Sequence, residues 1–348
     1  MRTAILGWPQ AGKTSLFKML CGAQTHPESY GAHVGVARVP DARLDELARL
    51  YKPRKTTQAA LEFLDAPSLL NDPAKDAGLF GQVRGADAFA HVVRLFGDDA
   101  DPAGHLEQLE TEFLLVDLDT VTKRRDKLAR DMKKSRTPEL EHENTVLEKC
   151  RAALAAETPL RAVTLPAEDE KFLRGFMLLS AKPLLVVLNA ADDEAPTLEQ
   201  APDKRGLAAW RSRPRLALTE VCGKIESELA ELAPEEAAEF LISYGLKESA
   251  RDRVLHTLGA LLGLLTFFTV SEAECRAWLA PGGTVAVDAA GMIHSDFAQR
   301  FIKAEMIPWK ELVAAGGLPA AREQGKVRLE GKEYRVADGD VLYIRHTA

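Results

Sequence analysis

Apolar runs of strand length recur before residue 220: TAIL (Thr3 to Leu6), ALEFL (Ala60 to Leu64), AFAHVV (Ala88 to Val93), LLVVL (Leu184 to Leu188) and RLALT (Arg215 to Thr219). Stretches with helical spacing separate them. A strand buried on both sides has no polar face, so continuous apolar runs alternating with helices predict an α/β fold, a parallel sheet covered on both faces. Between Leu106 and about Leu160 the pattern changes to leucines at helical spacing among many charges, as in HLEQLETEFLLVDLDTVTKRRDKLARDMKK and ELEHENTVLEKCRAALAAE. These predict two long helices joined at SRTP (Ser135 to Pro138), an antiparallel hairpin inserted into the α/β part. After about Leu265, the strand-like runs TFFTV, TVAVDAA and KVRLEGKEYRVADGDVLYIRH are broken by PGG, EGK and ADGD turns, which predicts a compact β-rich terminal domain. The division expected is therefore 1–105 and 166–264 for the two parts of the α/β domain, 106–165 for the hairpin and 265–348 for the terminal domain.

Composition narrows the class. With 348 residues, 46% apolar and 28% charged, the chain is expected to form more than one packed unit of ordinary globular character. Its formal net charge of −7 argues against nucleic-acid binding over the whole surface and leaves local basic patches open. One such patch is KRRDKLARDMKKSR (Lys123 to Arg136), with eight basic and two acidic residues at the distal end of the hairpin. It reads either as a contact for RNA phosphates or as a solvated helix face. The four cysteines form no C-x-x-C pair, as expected of reduced cytosolic thiols. The run LGALLGLLTFFTV (Leu258 to Val270) falls short of the roughly 20 residues that span a bilayer. MRTAILG is too short an apolar run for a signal peptide. A cytoplasmic protein without membrane contact is expected, and since no feature indicates a dimer, a monomer.

The chemistry is concentrated near the start. GWPQAGKT matches G-x-x-x-x-G-K-[ST] and lies between the strand TAIL and a helix expected from Lys13 to Leu20. In such a loop, backbone N–H groups at the helix N-terminus cradle phosphate oxygens, the lysine reaches the β and γ phosphates, and the hydroxyl ligates Mg²⁺. Gly7, Trp8, Pro9, Gln10, Ala11, Gly12, Lys13, Thr14 and Ser15 are the candidate phosphate contacts, with Lys13 the candidate catalytic residue. DAPSL after ALEFL is the candidate second phosphate element, and Asp65, the acid that opens it, is the candidate to hold Mg²⁺ directly or through water. NAAD (Asn189 to Asp192) follows LLVVL where guanine-binding relatives of this fold carry N-K-x-D, with Ala190 in place of the lysine. His91 reads as a packed strand residue, and His294, in GMIHSDF, as part of the terminal fold.

Taken together, the chain resembles the YchF or Obg-like ATPase family, a branch of the translation-factor-related P-loop GTPases. The resemblance spans almost the whole chain. It is carried by GWPQAGKTS, VGVARVPDARLDELARLYKP (Val34 to Pro53), DAFAHVVR (Asp87 to Arg94), ETEFLLVDLDTVTKR (Glu110 to Arg124) and CGKIESELAEL (Cys222 to Leu232). FLISYGLKESARDRVLHTLGALLGLLTFFTVSEAECRAW, PGGTVAVDAAGMIHSDFAQRFIKAEMI and GKEYRVADGDVLYIR carry it through the terminal part. The resemblance implies a Ras-like G domain interrupted by a coiled-coil hairpin and followed by a ubiquitin-like β-grasp domain of TGS type. It places Cys222, Gly223 and Lys224 in the fifth nucleotide motif, beside Asn189 and Asp192. It implies an Mg²⁺-dependent NTPase that prefers ATP to GTP, associates with ribosomes and acts in translation or stress control.

Several positions depart from the family pattern. Asp192 stands where the family has glutamate, and Ser68 replaces the glycine of D-x-x-G. The first switch loop, Thr25 to His33, lacks its threonine, leaving Ser29 as the candidate metal contact. Leu69 occupies the place of the water-orienting glutamine of Ras-like enzymes, so positioning and electrostatics around Lys13 must supply catalysis. The function expected is a slow ATP or GTP hydrolase working as a ribosome-associated switch, with ribosome or rRNA contacts through the hairpin and the TGS-type domain. The alternatives are a GTPase and a ribosome- or RNA-binding adaptor that no longer hydrolyses.

Overall fold

A computed structural model of the chain describes residues 1–22, 25–27, 33–68, 73–229, 232, 234–246 and 248–347. They divide into two units, Met1–Val36 with Glu62–Leu261 and Ala37–Leu61 with Leu262–Ala348.

In chain order, the elements up to residue 94 are β1 (Arg2–Leu6), α1 (Lys13–Cys21), β2 (Thr25–Pro27), β3 (His33–Val39), α2 (Ala42–Tyr51), β4 (Lys55–Thr57), β5 (Ala59–Asp65), α3 (Pro73–Val83) and β6 (Ala88–Arg94). The long helices α4 (Pro102–Lys134) and α5 (Pro138–Ala155) follow, and then β7 (Leu184–Asn189) and β8 (Leu216–Val221). Strands β1 to β8, without β4, form a seven-stranded sheet in the order β2-β3-β5-β1-β6-β7-β8. Its β5-β1-β6-β7-β8 part is parallel. The five predicted apolar runs are these five strands. Their central residues, such as Ile5, Phe63, Phe89 and Val186, are completely buried. That burial drives the sheet, at roughly 25 cal/mol for each Å² of apolar surface removed from water.

The predicted hairpin begins four residues earlier than expected, at Pro102, where Asp101 caps α4 by accepting from Gly104 N. The turn lies at Ser135 to Thr137, and Thr137 caps α5. Val121 and Leu128 of α4 pack against Val146, Leu147, Cys150 and Leu154 of α5. The spacing of these residues is the heptad-like seam read from the leucine pattern. At the hairpin base, buried Asp117 accepts from Leu179 N at 2.8 Å, Ser180 N at 2.7 Å and Ser180 Oγ at 2.7 Å. Glu110 pairs with Arg161, and both are buried. Burial raises the Asp117 carboxyl above the ordinary range, while its bond to Ser180 opposes the rise.

The second unit is built on a six-stranded sheet in the order β12-β11-β13-β9-β10-β4, with β9 (Leu264–Val270), β10 (Glu274–Pro281), β11 (Phe301–Pro308), β12 (Arg328–Glu330) and β13 (Asp340–His346). β9 pairs antiparallel with β10 and parallel with β13, and β11 pairs antiparallel with β13 and β12. TVAVDAA, expected among the strand-like runs, instead opens the helix Ala286–Ile293. Ala286, Ala289 and Ala290 fall on one helical face, all completely buried, and alanine has no branched chain to favour a strand.

Residues 37–61, expected within the first part of the G domain, cluster with the C-terminal residues. β4 pairs in parallel with β10, and Tyr51 Oη lies 3.0 Å from Tyr343 Oη and accepts from Leu318 N at 3.0 Å. Arg43 bridges Asp41 and Asp338. These long-range contacts leave no local mark in the sequence. No helix of the described residues is long and apolar enough to cross a membrane.

Candidate functional site

The loop between β1 and α1 is shaped by residues in left-handed backbone conformations. Gly12 has φ 99° and caps α1 without any side-chain hydrogen bond, so the first-turn N–H groups keep no side-chain acceptor. Gln10 takes φ 61° in the same loop. Such steps curl peptide N–H groups into concavities suited to anions. Gly7 is required for a second reason: a Cβ there would meet Val92 O at 2.6 Å, so the β6 backbone approaches too closely for any side chain.

Lys13 opens α1 and is buried. Its Nζ donates to Ser68 Oγ at 2.6 Å and to Trp8 O at 3.3 Å. Burial lowers its pKa from the ordinary lysine value, and the Asp65 carboxylate opposes that shift. Asp65, at the end of β5, accepts from Thr14 Oγ1 at 3.2 Å through Oδ2. Its other oxygen, Oδ1, is buried with no hydrogen-bond partner. Burial raises the Asp65 pKa, opposed by the Thr14 bond and by the charges of Lys13 and His33. Both ionisable groups are thus pushed toward neutrality by burial, a shift that an anion on Lys13 or a cation on Asp65 would reverse. Thr14 and the orphaned Asp65 oxygen form a donor set of hard oxygens that suits a small divalent cation.

Asn189, predicted as a base contact, serves as a latch. Its Nδ2 donates to Ala11 O at 3.0 Å and its Oδ1 accepts from Gly223 N at 3.1 Å, which ties the first loop to the start of the helix Gly223–Leu229. The contact is so close that a Cβ on Gly12 would lie 2.4 Å from Asn189 Nδ2. Gly12, Ser15, Met19, Val92, Asn189 and Gly223 line a depression beside the loop. Lys224, next in the chain to Gly223, pairs through Nζ with Asp192 Oδ2 at 2.6 Å. Ala190 is buried and offers no stem to cover a base. Cys222 donates its thiol to Ala191 O at 3.4 Å, and burial pushes its pKa up to about 12, so it is an inert structural thiol.

The structure brings together the predicted first loop, Asp65, Asn189 and Gly223. Ser29 lies outside the described residues. Sequence reasoning missed a ring cluster behind the loop: Trp8 stacks on His105 with centroids 4.7 Å apart and planes at 10°, and lies 5.4 Å from His91. His91 is completely buried with neither ring nitrogen hydrogen-bonded, and its pKa is pushed down to about 3, first by burial. It is the packed strand residue expected from its place in AFAHVV. A histidine three residues into a helix carries no signal that it will meet a distant tryptophan. Nor does Ser68 reveal in sequence that it engages Lys13.

In the basic segment at the hairpin end, Lys123 pairs with Asp119, Arg124 with Glu143, Arg125 with Glu148 and Arg136 with Glu141. Lys127, Arg130, Lys133 and Lys134 carry no ion pair among the described residues, so the net basic surface is smaller than the count of eight basic residues.

A glycine loop joining a strand to a helix, a lysine and a hydroxyl at the helix start, and an acid from the adjacent parallel strand define the P-loop nucleotide-binding fold. Here it is a Ras-like G domain with an inserted helical hairpin, accompanied by a C-terminal β-grasp domain of TGS type. Comparison with known proteins narrows the class. Residues 264–347 match the family model "YchF-GTPase_C: Protein of unknown function (DUF933)". The "Ribosome-binding ATPase YchF" of Bacillus subtilis (strain 168) is 37% identical over 362 residues, covering 99% of each chain. The protein of the same name from Escherichia coli O157:H7 is 36% identical over 364 residues, covering 98% of each. The solved structure of the Schizosaccharomyces pombe YchF GTPase superposes with a TM-score of 0.81 at 25% identity, over 99% of this chain and 97% of that one. The chain belongs to the YchF family.

Proposed function

We propose that the protein is a P-loop ATPase that binds Mg²⁺-nucleotide at the loop Gly7 to Ser15, hydrolyses its β-γ phosphoanhydride slowly, and works in the cytoplasm as a ribosome-associated switch. The observation that carries this reading is a buried Lys13 ammonium at the start of α1 together with a buried Asp65 whose Oδ1 has no partner. A bound triphosphate would place its oxygens on Lys13. Thr14 and Asp65 would hold Mg²⁺, which when bound neutralises charge building on the phosphate oxygens. The loop's N–H groups and Lys13 would orient the terminal phosphate and stabilise its oxygens, and no side chain of the described site stands as a general base, in keeping with slow turnover.

Adenine is favoured over guanine by two features. Ala190 provides no lysine stem against the base, and the Asp192 carboxylate is already engaged by Lys224. The relatives named above as ribosome-binding ATPases support the same substrate and a ribosomal partner. Lys127, Lys133 and Lys134 at the hairpin end, together with the TGS-type domain, are the surfaces we assign to rRNA, in a protein that acts as a monomer.

Phosphate release from ATP, measured with and without ribosomes, tests the reading. Turnover above background that rises with ribosomes and vanishes in Lys13→Ala is expected. Turnover equal in Lys13→Ala and the natural protein would overturn it. ATP binding without phosphate release under either condition would favour the non-hydrolysing adaptor, for which the replacement of a glycine by Ser68 next to Lys13 is the specific observation.

A further inference from the structure

The Lys13–Ser68 hydrogen bond has a consequence for nucleotide state. An ammonium has three N–H donors and no acceptor. In the protein, two of the three are assigned, one to Trp8 O at 3.3 Å and one to Ser68 Oγ at 2.6 Å. The third is the donor left for a ligand. In a P-loop the lysine serves both the β and the γ phosphate. A nucleoside diphosphate needs only the third donor, and the Ser68 bond survives its binding. A triphosphate needs a second donor, and the donor held by Ser68 is the one that must be exchanged.

We propose that Ser68 is a nucleotide-state discriminator: its hydroxyl takes the place of a terminal-phosphate oxygen on Lys13, and so biases the site toward the diphosphate. This rests on the nucleotide-site reading above. Ser68 is half-buried, three residues beyond Asp65 at the end of β5, so the hydroxyl reaches Lys13 from the same segment that supplies the candidate metal acid. A glycine at this position leaves the ammonium free to turn to the γ-phosphate without first giving up a protein partner. Serine makes that step an exchange of one hydrogen bond for another. The free protein and the diphosphate complex both contain the Lys13–Ser68 bond, and the triphosphate complex does not. Removing the hydroxyl therefore leaves diphosphate affinity unchanged and raises triphosphate affinity.

The test is calorimetric titration of the full chain with Mg²⁺ and either ADP or the non-hydrolysable AMP-PNP, repeated with GDP and GMP-PNP. The proteins compared are the natural chain, Ser68→Ala, Ser68→Gly, Ser68→Thr and Lys13→Ala. The expected result is that Ser68→Ala and Ser68→Gly bind the triphosphate analogue about tenfold more tightly, which is about 1.4 kcal/mol, with diphosphate affinity within about twofold. Ser68→Thr keeps the hydroxyl and retains the natural ratio, which separates loss of the hydroxyl from a general disturbance of the loop. An unchanged ratio in Ser68→Ala and Ser68→Gly overturns the proposal. So does weaker triphosphate binding, which would make the hydroxyl a direct γ-phosphate contact. Failure of the underlying site looks different: neither nucleotide binds the natural chain, or Lys13→Ala binds both as well as it does.

Discussion

Replacing Gly12 by alanine does two separable things. It puts an L-residue at φ 99°, and it drives a Cβ to 2.4 Å from Asn189 Nδ2. The backbone strain costs about 1–3 kcal/mol whatever the neighbours are. The collision exists only while Asn189 is present. Asn189→Ala alone removes hydrogen bonds of 3.0 and 3.1 Å to Ala11 O and from Gly223 N, a loss of about 2–4 kcal/mol for two buried bonds between loops. In the double variant the colliding amide is gone and the strain remains. The two substitutions together should therefore destabilise by at least about 1 kcal/mol less than the sum of the separate effects, well outside the few tenths seen for independent sites. The assay is urea unfolding of the four proteins of the cycle, followed by far-ultraviolet circular dichroism and tryptophan fluorescence, reading the transition that carries the Trp8 signal. Additivity within about 0.5 kcal/mol would refute the latch between the first loop and Asn189.

Two further predictions concern stability. His91 is neutral in the fold with its pKa pushed down to about 3, so an unfolded chain binds a proton near pH 6.5 that the folded chain refuses. Its contribution is fully present above about pH 6.5 and is lost as pH falls toward 3, by up to about 4–5 kcal/mol. In urea unfolding across that range His91→Leu should lose distinctly less stability than the natural protein, and parallel pH profiles would refute the assignment. Asp117→Ala strips the acceptor from Leu179 N, Ser180 N and Ser180 Oγ and should cost about 3–5 kcal/mol. Amide exchange at Leu179 and Ser180 should accelerate more than in the sheet strands, and unchanged protection there would contradict the anchor.

Much of this molecule is legible in its sequence because the relevant forces are local or periodic. The strands around Ile5, Phe89 and Val186 announce themselves as unbroken apolar runs, and the Val121/Leu128 and Val146/Leu147 spacing announces the hairpin seam. The phosphate loop is legible because its geometry demands glycine at Gly7 and Gly12 and a lysine at a fixed offset. What the sequence conceals is long-range pairing. Tyr51 reaches Tyr343, His105 stacks on Trp8, and Asp117 closes the hairpin base on Ser180, all between residues far apart in the chain. TVAVDAA misleads because its alternation over a few residues fits a strand as well as a helix, and only the buried alanine face decides. Asn189 is legible as a site residue from its motif, but its work as a tie between two loops depends on the separation of those loops in space.

The central claim is that Lys13 and its loop hold a nucleoside triphosphate, with adenine preferred. Titrating purified, nucleotide-free protein with ATP and with GTP in the same Mg²⁺ buffer, beside Lys13→Ala, tests it most directly. Saturable binding of ATP at least about tenfold tighter than GTP, a difference of about 1.4 kcal/mol, and lost in Lys13→Ala, is the predicted result. Binding of neither nucleotide by the natural protein, or equal binding by Lys13→Ala, would contradict it.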